Sequence, residues 1–240
     1  MSGRLYDDYF DLQLRVATAY ARLGRLTRST AIARFTNLRR RFGLVGNFRA
    51  AEWEGFLHSV PEDAEHEELL ERTLEWYEHR PTLSASPFGC FSYDPPDAHG
   101  TLRIHFMPEE QHRRDSPLGD ARISERRSEL QAMIADVRHR YPNVRHVRGV
   151  SWLYNVHAYK RLFPPEYVAS ITLPAFVVNM NGSSTWGQVL DYRHKVKIHV
   201  RDHVLANVNA TTLSAPWRAF PLPALVATCA IECFQFCGAD

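Results

Sequence analysis

Lysine is scarce in this chain. It carries three, Lys160, Lys195 and Lys197, against twenty-six arginines in 240 residues. Acidic and basic side chains nearly cancel, 27 against 29, so no concentrated basic excess exists and nucleic-acid binding is not expected. No run of about eighteen apolar residues occurs, so neither a membrane-spanning helix nor a membrane partner is expected. The N-terminal MSGRLYDDYFDLQ lacks an apolar core, and no signal peptide is expected there. Only four cysteines are present, and without a leader they read as reduced thiols of a cytoplasmic protein. Neither a GxxxxGK[ST] loop nor a GxGxxG fingerprint is found, which removes the nucleotide-binding classes that need them. Ser151 lies between Val150 and Trp152, without the glycines of a nucleophile elbow, so a serine hydrolase is not expected.

What is present is ordinary globular material. Hydrophobic residues make up 45% and charged residues 23%, which argues against disorder across the chain. Through residue 80 the apolar spacing is helical. Leu5, Tyr9, Leu12, Val16, Ala19 and Leu23 form one stripe, with Gly24 as the expected cap. A second helix is expected from Ser29 to Phe42, a short third one around Trp53 and Phe56, and a fourth from near Pro61. From residue 81 strand-like patterning takes over. Gly89–Tyr93 and Thr101–Met107 pair across PPDAHG, a helix runs over Ser124–Tyr141, and Val144–Leu153 is a strand. Strand, helix, strand suggests a crossover unit. Val168–Met180 is a further strand candidate, a helix starts near Thr185, another covers His199–Val208, and a last one Pro223–Cys237. The expected fold class is therefore α/β (α+β): a helical region over 1–80, then an α/β domain over 81–240 with a mixed sheet flanked by helices.

The densest polar and aromatic mixture lies between Tyr141 and Ser170, and a concave site is expected there. His105 alternates with apolar neighbours, and Arg103 shares its strand face. On the next strand Arg148, Val150 and Trp152 share a face. If the two faces coincide, Arg103 and Arg148 clamp an anion and His105 moves a proton. The alternative is a polar face in water. Ser151, Trp152, Tyr154 and Asn155 complete the expected substrate-binding set. Asp191, beside Arg193 and His194, is a second catalytic candidate, or else a surface ion pair. No metal is expected. His199 and His203 stand at i, i+4 without the glutamate of HExxH, and Cys229, Cys233 and Cys237 on one helix would span roughly 12 Å, too far to hold one ion.

Three segments carry a resemblance: SWLYN at Ser151–Asn155, AYKRLFPPEY at Ala158–Tyr167 and WGQVLD at Trp186–Asp191. They are similar to a group of uncharacterised bacterial proteins without an assigned activity. Ile104-His105, Pro117-Leu118, the following helix, Ser151-Trp152-Leu153 and Pro164 more faintly resemble an acyltransferase-like domain related to the GNAT superfamily. That resemblance implies a GNAT-like sheet, acyl transfer and a coenzyme A thioester as donor. The superfamily's pyrophosphate loop, Q/R-x-x-G-x-G/A, is absent.

The leading expectation is an enzyme, a transferase, acting on a small anionic metabolite. One alternative is a cyclisation or elimination enzyme of specialised metabolism, whose arginines stabilise a leaving sulfate or phosphate. Another is a non-catalytic partner subunit in a homo- or heterodimer. Its interface would be built from Trp186, Tyr192, Trp217 and the apolar tail.

Overall fold

A computed structural model describes residues 6–46, 49–81, 85–107 and 115–235. The chain divides into two compact units, Met1–Leu83 with Phe176–Pro223, and Ser84–Ala175 with Ala224–Asp240. The first crossing falls near the expected boundary. The second, at Phe176, has no counterpart in the sequence reading, which assigned residues 176–223 to the sheet domain. No helix among the described residues is long and apolar enough to cross a membrane.

The first unit is helical. Helix α1 (Asp7–Gly24) opens with Asp7 and Asp8 at its positive end. It buries Tyr9, Phe10, Leu12, Leu14, Val16, Ala17 and Tyr20. The left-handed cap residue is Arg25, at φ 51°, rather than Gly24. Gly24 instead accommodates close packing, since a Cβ there would stand 3.2 Å from Leu26 and 3.3 Å from Leu213.

The single helix expected over Ser29–Phe42 is two, α2 (Arg28–Phe35) and α3 (Leu38–Arg41). The break has a polar cause. Thr36 Oγ1 donates back to Ile32 O at 2.7 Å, and the Asn37 N–H donates to buried Gln13 Oε1 at 2.7 Å instead of continuing the ladder. Helices α4 (Ala50–His58) and α5 (His66–Glu78) follow, the latter starting later than Pro61 suggested.

Trp186, on α9 (Ser183–Trp186), is fully buried and its indole N–H donates to Phe35 O at 3.1 Å. It is a core residue and not the expected interface anchor.

The second unit holds four strands in the order β1 (Phe91–Asp94), β2 (Thr101–Phe106), β3 (His146–Ser151), β4 (Leu225–Ala230). The outer pairs are antiparallel and the central β2–β3 pair is parallel. Helix α6 (Ile123–Arg140) lies in the crossover and buries Leu130, Met133, Ile134 and Val137 against one sheet face. Short helices α7 (His157–Lys160) and α8 (Pro165–Ala169) complete this unit, while α9 and α10 (Ile198–Asn207) belong to the first. The fold is thus mixed α/β with a four-stranded mixed sheet.

Two expectations fail here. The strand expected over Val168–Met180 is mostly irregular: Pro165 starts α8, and only Thr172 bridges to Val226. The helix expected over Pro223–Cys237 is strand β4 and a 3-10 turn at Ile231–Phe234. Six consecutive pairings with β3 decide the matter, because a short apolar run suits a buried strand as well as a helix. Cys229 and Cys233 therefore do not share a helix face, and Cys237 lies outside the described residues.

Gly149 on β3 is required by close approach. A Cβ there would stand 1.9 Å from Tyr154 Oη and 2.6 Å from Tyr167 Oη. Those two hydroxyls bond at 2.6 Å within a core that also holds Tyr159, Phe163 and Phe234. Gly149→Ala is expected to lower unfolding free energy by about 2–3 kcal/mol, measured by urea denaturation, because neither ring can withdraw from a packed core. Burial also pushes the Tyr154, Tyr159 and Tyr167 phenols well above their ordinary range. Burial, then the bond to Asp136, pushes Tyr93 up to about 12. Unfolded phenols ionise near ~10, so the stability these groups contribute is intact below that pH and lost as pH rises through the folded values. For Tyr93 the window runs from about 10 to about 12. Thermal melts are expected to fall steeply in that window, and less steeply in Tyr93→Phe.

Candidate functional site

The sheet face away from α6 carries polar residues, and strand register sets their order. Asp94 pairs with Arg103, Arg103 with Arg148, and Arg148 with Thr228. Cross-strand partners share a face, so one row across all four strands reads carboxylate, guanidinium, guanidinium, hydroxyl. His105 lies two residues beyond Arg103 and on the same face. Its Nε2 and Asp94 Oδ2 are 2.8 Å apart, with the imidazole 18% exposed and the carboxylate 58% exposed.

A carboxylate only accepts, so Nε2 bears the proton and a neutral ring keeps its lone pair on Nδ1. Asp94 thereby fixes the tautomer of the His105 imidazole. Arg103 is exposed and has no hydrogen-bond or ion-pair partner among the described residues. Arg148, half-buried in the adjacent strand, helps hold the Asp97 carboxyl below the usual range, an effect led by the Thr101 N–H bond to that carboxylate. Two like charges directly opposite on parallel strands repel.

The other expected residues are placed elsewhere. Ser151 alternates onto the helix-covered side, with Val147 and Gly149, and its Oγ accepts from Leu153 N–H at 3.1 Å. It caps the 3-10 turn Trp152–Asn155. Asn155 Nδ2 donates to Trp152 O at 2.7 Å within that turn. Tyr154 is 1% exposed and belongs to the inner core, which corrects its assignment to the substrate pocket. Trp152 is half-buried in that turn, past the end of β3, where strand alternation stops. Asp191 belongs to the other unit. Its Oδ1 accepts from the Arg193 and Lys195 N–H groups at 2.8 Å each, which organises that turn. Among the described residues no group of three or more histidine, cysteine or acidic side chains is placed to hold a metal ion.

Asp94 was missed in the sequence. Counting outward from the PPDAHG turn pairs Asp94 with Thr101, which shares a strand face with Arg103, and the observed register lies two residues further along. No protein-family profile, curated protein or solved structure matches this chain.

The dyad has a direct check. In 15N-resolved histidine spectra His105 is expected to show a single Nε2–H tautomer. Asp94→Ala is expected to give a mixed population while the fold is kept. A mixed population in the unaltered protein would contradict the orienting role.

Proposed function

We propose that the sheet unit belongs to an enzyme acting on a small anionic metabolite, bound on the open face of the sheet. The observation that carries this reading is the pairing of Arg103 with Arg148 beside the His105–Asp94 dyad. The two guanidiniums supply forked donors for a carboxylate, sulfate or phosphate. His105 Nδ1 is the proton acceptor, and Asp94 holds the imidazolium that forms.

The faint resemblance to GNAT-related acyltransferases makes acyl transfer the reaction class, and the crossover between two central parallel strands is compatible with it. Elimination or cyclisation remains the runner-up, with the same arginines stabilising a leaving sulfate or phosphate. The partner-subunit reading loses support, because Trp186 is buried in a core and the apolar tail supplies β4.

Calorimetric titration of the full chain with succinate, phosphate, sulfate and acetyl-coenzyme A tests the proposal. At least one anion is expected to bind, and Arg103→Met is expected to weaken it tenfold or more, about 1.4 kcal/mol per tenfold. Binding of acetyl-coenzyme A selects acyl transfer over elimination. Equal affinity in Arg103→Met, or silence from all four probes, would overturn the reading. Once a turnover assay exists, His105→Ala is expected to abolish the rate with little change in anion affinity.

A further inference from the structure

Among the described residues three non-glycine positions have positive φ, and two of them, Tyr6 at 76° and His194 at 61°, are bonded to each other. Tyr6 Oη lies 2.6 Å from His194 Nδ1, and the rings stack at 5.3 Å. The residues are 188 positions apart in the chain and both lie in the helical unit. A left-handed backbone is unfavourable for either residue type, and paired outliers of this kind concentrate at functional sites.

Their surroundings are specific. Tyr6 is 6% exposed, its ring stacked on Phe10 and edge-on to Tyr77. The Arg41 guanidinium lies 5.1 Å over the Tyr6 ring and 5.0 Å over Tyr9. Arg41 makes no ion pair with a carboxylate among the described residues, and its Nε is buried without a hydrogen-bond partner. A buried cation in that position calls for negative charge, and the phenols are the groups beside it.

His194 sits on a turn that Asp191 organises, between exposed Arg193 and Lys195 and before half-buried Lys197. Asp7 adjoins Tyr6 in sequence, and Arg80 lies 3.6 Å over the Tyr77 ring.

We propose that Tyr6 and His194 form a second, proton-transferring site, with Tyr6 a phenol that ionises below its ordinary range and a small anion as its ligand class. In the step, the Tyr6 O–H bond breaks and its proton passes to His194 Nδ1. The imidazolium then releases its Nε2 proton to solvent or ligand. The phenolate left behind faces Arg41. The anion is drawn to the Arg193–Lys195–Lys197 turn, on the half-exposed side of His194. This site is independent of the sheet-face reading, since it uses no residue of the sheet unit.

The test is the Tyr 13Cζ resonance followed against pH in the full chain, with Tyr6 assigned by its loss in Tyr6→Phe. Tyr6 is expected to ionise at least one pH unit below the ordinary phenol value of about 10. Arg41→Met is expected to return it to that value or above, and His194→Gln to shift it as well. A purely structural contact would leave Tyr6 at or above the ordinary value, and that result in the unaltered protein overturns the proposal without any variant. Inorganic phosphate is the probe anion. It is expected to shift the His194 ring 15N resonances, and a flat response at saturating concentration overturns the ligand class.

Discussion

The parallel pairing of β2 with β3 governs the sheet unit. Parallel strands cannot be joined by a tight turn, so a crossover is obligatory, and here it contains α6. The helix covers one face and leaves the other to polar side chains. Once the register Arg103↔Arg148 is set, every second residue of both strands is committed to one side or the other. The charged row and the tyrosine core are two consequences of that one registration.

The two faces also separate SWLYN from Arg148. Ser151 and Tyr154 belong to the covered side, where Gly149 leaves room for two bonded phenols. Arg148 belongs to the open side. A motif that looks like a cluster of reactive groups in one dimension is, in three, a strand end with a self-capped turn and a core anchor. The polar cluster of the open face, Asp94, Arg103, His105 and Arg148, comes instead from three different strands.

Legibility in the sequence followed the range of the interaction. The stripe Leu12, Val16, Ala19 on α1 is local and periodic, so it was readable. The β1–β2 hairpin was readable through PPDAHG, and the crossover through the helix that ends before Pro142. The break between α2 and α3 was not, since it depends on Gln13 reaching Asn37 across the unit. Strand β4 was hidden because LVATCA has no period of its own, and β3 selects its conformation. Of the eight residues expected at the site, Arg103, His105 and Arg148 share the open face. Their shared face needed only alternation and one correct strand pairing. Asp94 needed the register as well, and Tyr6 with His194 needed a contact that no local pattern records.

The sheet unit is discontinuous in sequence. Strands β1 to β3 precede residue 176, whereas β4 follows residue 223. During synthesis the exposed edge of β3 must therefore wait for the 73 residues from 152 to 224 before its six-residue partner emerges. Closing that pair is a late, high-contact-order event. Until it happens the nascent chain presents an unpaired strand edge, which makes the interval before β4 arrives the one in which this protein is most open to misassociation and most in need of a holding chaperone.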